Sequence, residues 1–212
     1  GEIHGITTGK DINRLLPSEL VALKRPILKR LLFAKLHEQS ALNYEMAGRE
    51  TKIKGPIIIL LDESSSMRIH GRDIWSKAVA MALLTTATKQ KRGWTLVAFT
   101  SSIRREIEIK SGQATPDVIA RALDHACGGG TDFNGPVARA CKLVRTTTPN
   151  ADVVIITDGE DYLMPDIITE ATKLTAAKGA NWFSICIGTD TVISSLAPIA
   201  THATIIKDLG NK

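Results

Sequence analysis

The chain has 212 residues, 43% of them apolar, so it can bury one large core or one core with a small addition. Its net charge of +5 is too small to identify a partner class, and no apolar stretch reaches the roughly 18 residues that cross a bilayer. The three cysteines are odd in number and lack CxxC spacing, which argues against a disulfide framework or a zinc site. We therefore expect a cytoplasmic protein without a transmembrane segment.

The N-terminal part of the chain predicts a small helical segment. Residues 9–23 indicate a short helical turn broken at Pro17. Residues 26–44 predict a helix, because Pro26 suits a first turn and leucines recur at helical spacing. The polar stretch 48–56 ends in Gly55-Pro56 and is typical of a linker. These patterns predict a helical segment over residues 1–50 and one main domain over residues 51–212.

The main domain alternates continuous apolar runs with helical patterns, which indicates parallel strands covered on both faces. The predicted strands are 56–62, 94–100, 152–157, 181–187 and a weak one at 203–207. The predicted helices are 73–90, 115–125, 134–146, 165–178 and 191–200. Residues 103–109 alternate apolar and charged side chains, which is typical of an antiparallel edge strand. The expected fold is α/β and Rossmann-like, with a mostly parallel sheet, one antiparallel edge strand and helices on both faces.

Polar side chains stand where two of these buried strands should end. Asp62 follows the apolar run 57–61, and Asp158 follows the run 153–157. In open α/β sheets, ligands bind outside the carboxyl ends of the strands, where the strand order reverses. The loop after Asp62 can turn Ser64 and Ser66 toward the same point, while residues 63 and 65 face away. Three consecutive glycines, residues 128–130, can bring the Thr131 hydroxyl there as well.

Together these residues predict a site for a divalent metal ion. All of the predicted ligands offer oxygen: Asp62, Ser64, Ser66, Thr131 and Asp158. Oxygen ligands select Mg²⁺, Mn²⁺ or Ca²⁺ over zinc or copper, and Mg²⁺ suits a site with few carboxylates because it commonly keeps several waters. Hydroxyl ligands are weak donors, so the ion should remain electrophilic, and an Asp or Glu from a partner could replace one water.

Each segment also has an ordinary structural explanation when it is taken alone. The serines after Asp62 can cap a helix, the glycines can form a hinge, and Asp158-Gly159 can be a turn. Their joint occurrence, in this order and at the ends of strands or helices, favours the metal site.

The same residues resemble the von Willebrand factor A domain, whose metal-ion-dependent adhesion site (MIDAS) has the pattern D-x-S-x-S, then Thr, then Asp. The resemblance implies that the five predicted residues bind the metal directly or through water. The family usually has Gly where this chain has Ser65. This departure predicts a stiffer loop with all ligands retained.

A second resemblance involves the N-terminal part of the chain. Residues 9–23 include Leu16-Pro17-Ser18-Glu19-Leu20 and precede the predicted helix and Gly55-Pro56-Ile57. This arrangement is similar to the bacterial ViaA-like proteins that work with MoxR-type AAA+ ATPases. The resemblance implies a cytoplasmic, chaperone-like adaptor whose metal site captures an acidic residue of the ATPase, of a client protein, or of both.

Two other functions stay open at this point. A Mg²⁺-dependent phosphohydrolase could use Asp62 as a nucleophile, but Ser64 stands where a second carboxylate would be expected, and the chain lacks a P-loop, GxGxxG or GxSxG motif. The basic residues before Gly55 could bind nucleic acid or anionic lipid. Aromatic residues are only 4% of the chain, and Trp75, Trp94 and Trp182 fall in predicted core elements, so no stacking surface for nucleic acid is evident. Peripheral lipid contact remains an alternative.

Overall fold

The computed structural model of the protein describes residues 3–46, 54–159, 161–188 and 194–207. The chain divides into two compact units, Gly1–Lys52 and Ile53–Lys212. In the described part of the chain, no helix has both the length and the apolar character needed to span a membrane.

The first unit is a two-stranded antiparallel sheet with helices between its strands. Strand β1 (Ile3–Gly9) pairs with β2 (Ala41–Met46), and α1 (Pro17–Leu20) and α2 (Pro26–His37) lie between them in sequence. The helix predicted over 26–44 is therefore correct as far as His37 and wrong beyond it. The sequence pattern missed both strands because each one depends on a partner more than 30 residues away.

The leucine pattern of α2 predicted the helix better than it predicted burial. Leu32 packs with Leu15 and Ala41 in a small core, whereas Leu28 and Leu31 are exposed. Beside this core, Lys35 Nζ lies 3.0 Å from Oε1 of the buried Glu19. One of the basic residues of the N-terminal segment therefore neutralises an acid of its own unit.

The second unit has a six-stranded sheet, as predicted. Its strands are β3 (Ile57–Asp62), β4 (Trp94–Phe99), β5 (Ile103–Ile109), β6 (Asp152–Thr157), β7 (Asn181–Ile187) and β8 (His202–Ile206). They lie in the order β5-β4-β3-β6-β7-β8, and all neighbours are parallel except the antiparallel edge pair β4 and β5. The α/β fold class with one antiparallel edge strand is confirmed.

Among the described residues of this unit, four α-helices cover the two faces of the sheet: α3 (Arg72–Lys89), α4 (Pro116–Leu123), α5 (Asn134–Thr146) and α6 (Pro165–Lys178). Residues of α5 and α6 share one hydrophobic core with Ile58 and Leu60. Residues of α3 and α4 share the other core with Ile59 and Leu61. Because successive strand residues point to opposite faces, a run with two buried faces is expected to be apolar throughout, as residues 57–61 of β3 are.

Three details differ from the sequence-based expectation or extend it. Residues 194–199 form turns where a helix was predicted over 191–200, and residues 191–193 lie outside the described residues. Trp75 is 40% exposed, so its assignment to the core was wrong: the residues that α3 buries are Ser76, Ala80, Leu84 and Ala87. Of the predicted linker, residues 48–53 lie outside the described ranges. Gly55 packs so closely that an added Cβ would lie 2.7 Å from the Ala151 nitrogen.

The strand order places a reversal point at β3 and β6. These strands are neighbours, but the chain leaves β3 toward β4 on one side and leaves β6 toward β7 on the other. Ligands of open α/β sheets bind at such a point, outside the carboxyl ends of the strands. Asp62 ends β3 and Asp158 directly follows β6, so both predicted carboxylates lie there.

Candidate metal centre

Asp62 is a buried carboxylate fixed on both of its oxygens. It is 1% exposed, and its Oδ1 accepts a hydrogen bond from the Ser64 backbone nitrogen at 2.8 Å. Its Oδ2 accepts one from the Thr157 hydroxyl of the neighbouring strand at 2.5 Å. Burial raises the pKa of Asp62, and the hydrogen bonds from Thr157 and Ser64 oppose that rise. Each oxygen keeps a lone pair for a further partner.

The serine hydroxyls connect the ends of β3 and β6. Ser64 Oγ and Ser66 Oγ lie 3.0 Å apart, and Ser66 Oγ donates to Asp158 Oδ1 at 2.8 Å. Ser66 and Asp158 are 92 positions apart in sequence. The structure therefore brings four of the five predicted residues into one connected group: Asp62, Ser64, Ser66 and Asp158.

Thr131, the fifth predicted residue, lies beside the turn that follows Asp158. Its Oγ1 is 3.8 Å from the position that a Cβ on Gly159 would take. Within the described residues, this hydroxyl makes no hydrogen bond. Thr131 is partly buried and precedes α5, as the sequence predicted.

Ser65 attaches the glycine loop, residues 128–130, to the serine loop, residues 63–66. The Ser65 nitrogen donates to the Gly129 carbonyl at 2.9 Å, and the Gly129 nitrogen donates back to Ser65 Oγ at 2.9 Å. Gly128 adds a backbone bond to the Glu63 carbonyl at 2.7 Å. Gly129 has a φ of +104°, a conformation that side-chain-bearing residues rarely adopt. The side chain of Ser65, which is not a predicted ligand, thus fixes the loop that carries Thr131.

We expect Ser65→Ala to loosen this attachment. The substitution removes the acceptor for Gly129 and should lower the free energy of unfolding by about 0.5 to 1.5 kcal/mol, the net value of one hydrogen bond. Chemical denaturation measures this change. Ser102→Ala, at an exposed turn, is the matched control and should leave stability unchanged. Equal stabilities of the two variants would contradict the role assigned to Ser65.

Glu63 points away from the cluster, as predicted, and makes an ion pair that the sequence analysis missed. It is 3% exposed, and its carboxylate accepts two bonds from Arg105 of β5, at 2.7 and 3.1 Å. Arg105 also donates to the Ala122 carbonyl at 2.8 Å. This pair supports the backbone between Asp62 and Ser64. The signal for it was an arginine on the otherwise apolar inward face of the edge strand β5.

Arg72 is the second residue that sequence reasoning missed. It begins α3, and its Nη1 lies 2.9 Å from Asp158 Oδ2. The Asp158 side chain is fully buried, and that of Arg72 is 19% exposed. The cluster therefore holds two carboxylates and one guanidinium.

The donor set fits a small, hard cation. Neighbouring ligands of an octahedral ion with bonds of about 2.0 to 2.1 Å lie about 2.9 Å apart, a spacing close to that of the serine and Asp158 oxygens. Among the residues that the structure describes, no three His, Cys, Asp or Glu side chains form a metal-binding group. Binding of an ion here would depend on the hydroxyls as well as on the two carboxylates.

Comparisons with known proteins agree with this architecture. Residues 57–160 match the family model for the von Willebrand factor type A domain. An uncharacterized protein of Methanocaldococcus jannaschii is 35% identical over 191 residues, covering 89% of this chain and 43% of that protein. The regulatory protein ViaA of Edwardsiella ictaluri is 31% identical over 183 residues, covering 78% of this chain and 37% of ViaA. The chain spans 37% to 53% of the length of four curated relatives that it matches.

Solved structures share the fold. Proximal thread matrix protein 1 from the mussel byssus, with a zinc-occupied MIDAS motif, superposes with a TM-score of 0.54 at 19% identity. The superposition covers 73% of this chain and 44% of that one. The sheet order, the family match and these relatives lead to one conclusion: the chain belongs to the von Willebrand factor type A family and resembles the ViaA regulatory proteins.

Proposed function

We propose that this protein is a metal-dependent, protein-binding adaptor. Asp62, Ser64, Ser66, Thr131 and Asp158 would hold Mg²⁺, or alternatively Mn²⁺ or Ca²⁺. The bound ion would supply an electrophilic position for a carboxylate oxygen of a partner. The main support is the connected group of Ser64, Ser66 and Asp158 oxygens just after β3 and β6, where neighbouring oxygens lie 2.8 to 3.0 Å apart at the reversal point of the sheet.

The chain's own residues would set the properties of such a site. Asp62 and Asp158 carry two negative charges and would roughly neutralise a dication. The Ser64 nitrogen and the Thr157 hydroxyl fix the Asp62 carboxylate in one orientation. The remaining ligands are neutral hydroxyls, which would reduce the positive charge of the ion only slightly. The ion would therefore still attract an acidic side chain.

Exposed apolar side chains that follow the predicted site residues in sequence favour a protein partner over a small anion. Ile69, Ile74 and Trp75 follow the serine loop and are 51%, 69% and 40% exposed. Tyr162 and Met164 follow Asp158 and are 65% and 53% exposed. Exposed apolar groups beside a polar site are typical of protein interaction surfaces. An acidic residue flanked by apolar side chains would fit this surface best.

The loop bearing Tyr162 and Met164 is fixed to the start of α5. The Met164 nitrogen donates to Asn134 Oδ1 at 2.8 Å, and the Phe133 nitrogen donates to Asp161 Oδ2 at 3.0 Å. Since α5 follows Thr131, the same bonds connect this loop to the glycine loop. A preformed surface loses less conformational entropy when a partner binds.

The proposed partner is a MoxR-type AAA+ ATPase, its client protein, or both, in a cytoplasmic, chaperone-like system. Two of the relatives are named ViaA regulatory proteins, which supports a regulatory role. The zinc in the mussel protein belongs to that protein. For this chain, the oxygen donors favour a harder ion such as Mg²⁺.

We infer that the role is not catalytic. Both oxygens of Asp62 already accept hydrogen bonds, and the residue is 1% exposed. Ser64 also stands where a second carboxylate of a Mg²⁺-dependent phosphohydrolase would be expected.

A binding experiment with chelator tests the proposal. We expect a purified MoxR-type ATPase to bind the full chain in Mg²⁺, to lose at least about tenfold in affinity in EDTA, and to regain it when Mg²⁺ is restored. Biolayer interferometry measures each step. Binding that survives EDTA but weakens steeply with salt would instead identify the basic residues before Gly55 as the contact. Phosphate-ester hydrolysis that Asp62→Ala abolishes would identify an enzyme.

A further inference from the structure

Arg72 occupies a position that is electrostatically unfavourable for a cation. It is the first residue of α3, an 18-residue helix. The amino end of a helix carries a partial positive charge, which favours acids and disfavours bases. Arg72 is nevertheless directed at Asp158 and lies 2.9 Å from its Oδ2. The contact with this buried carboxylate offsets the unfavourable position.

The side chain of Arg72 is also confined by packing. Gly188, which follows β7 with a φ of +68°, leaves the space that the arginine fills. An added Cβ at Gly188 would lie 2.9 Å from Arg72 Cζ. Arg72 Nε is buried and lacks a hydrogen-bond partner among the described residues. The guanidinium is therefore held beside Asp158 by the fold as well as by charge.

Arg72 and a bound metal ion would both interact with the Asp158 carboxylate. Asp158 Oδ2 accepts from Arg72, while Oδ1 accepts from Ser66. A cation beside Asp158 would meet the positive guanidinium and share one negative charge with it. Like charges close together in a buried site repel each other strongly.

We propose that Arg72 is a built-in counter-cation that limits the metal affinity of the site. This inference rests on the proposed metal site. Arg72 weakens metal binding and so keeps it reversible, and it stabilises Asp158 whenever the site holds no ion. The adaptor's affinity for its partner would then follow the concentration of the divalent ion.

Metal titration of matched variants tests this role. After chelation and buffer exchange, Mn²⁺ and Mg²⁺ binding is measured by calorimetry for the full chain. We expect Arg72→Gln to bind each ion at least about tenfold more tightly than the wild type, because the like charge is removed. Arg72→Lys keeps the charge and should remain close to the wild type. Arg68→Gln removes an exposed charge from the segment just before α3 and should change nothing.

Thermal unfolding gives a second readout that distinguishes this role from general packing. In EDTA, Arg72→Gln should unfold about 2 to 4 °C below the wild type, because Asp158 loses its ion pair. In saturating Mg²⁺, the difference should disappear or reverse. A deficit of the same size in both conditions would indicate packing alone and would overturn the inference.

The possible outcomes separate the two proposals. Equal or weaker metal binding by Arg72→Gln, with binding by the wild type intact, overturns the role of Arg72 and leaves the metal site standing. Failure of both proteins to bind either ion overturns the metal site and the inference together. Tighter binding by Arg72→Gln supports both.

Discussion

Asp62→Asn should abolish metal binding, and with it any metal-dependent association. We expect Mg²⁺ affinity to fall by at least about 100-fold. Loss of a residue that only hydrogen-bonds to a metal ligand lowers metal affinity by about 10- to 100-fold, and loss of a ligand carboxylate should lower it more. Asp62 supplies one of two negative charges and is 1% exposed, so solvent cannot compensate for its loss. Calorimetric titration with Mg²⁺ measures the effect.

The fold should survive this substitution. Asparagine has the shape of aspartate and keeps an oxygen to accept from the Ser64 nitrogen, while the Thr157 hydroxyl can accept from its amide. Circular dichroism should therefore match the wild type. Asp117→Asn, in the exposed first turn of α4, removes the same charge elsewhere and should bind Mg²⁺ normally. Wild-type affinity in Asp62→Asn would remove the basis of the proposed function.

Arg105→Met should produce the largest loss of stability. It leaves Glu63 buried without its partner, and breaking a buried ion pair in this way costs about 3 to 5 kcal/mol. The two side chains are only 13% and 4% exposed. Urea denaturation measures the free energy of unfolding. Loss of this pair should also lower metal affinity, because Glu63 lies between Asp62 and Ser64.

The chain offers a matched control for this prediction. Arg139 makes a similar two-bond contact with Glu106, at 2.7 Å for each bond, but those side chains are 38% and 26% exposed. Arg139→Met should cost about 1 kcal/mol or less, as is typical of exposed pairs. Adding Glu63→Gln to Arg105→Met should recover part of the loss. Equal costs for the two arginine variants would contradict the importance of burial.

The main sheet was predicted correctly because the pattern that identifies each of its strands lies within the strand itself. A strand buried on both faces is mainly apolar, so β3 appears as an apolar run that ends in Asp62, and β6 appears as a largely apolar run that Asp158 follows. The edge strand β5 alternates apolar and charged residues because one of its faces meets solvent. The serines could be placed near the end of β3 by the same reasoning.

Contacts between distant segments could not be predicted in this way. The strands β1 and β2 exist because they pair with each other, and nothing within Ala41–Met46 marks its partner. The contact of Arg72 with Asp158 joins positions that are 86 residues apart, and the bond between Ser65 and Gly129 joins positions that are 64 apart. The residues around each of these positions show no pattern that predicts the contact.

By itself, the sequence determined the α/β fold and the residue types that a metal centre of this kind requires, because strand burial and ligand chemistry are properties of single segments. Only the tertiary structure decided which charges meet at the end of the sheet: Arg72 against Asp158 and Arg105 against Glu63. The physical reason is that an ion pair depends on the distance between two side chains, which is set by the packing of α3 on the sheet and by the pairing of β5 with β4.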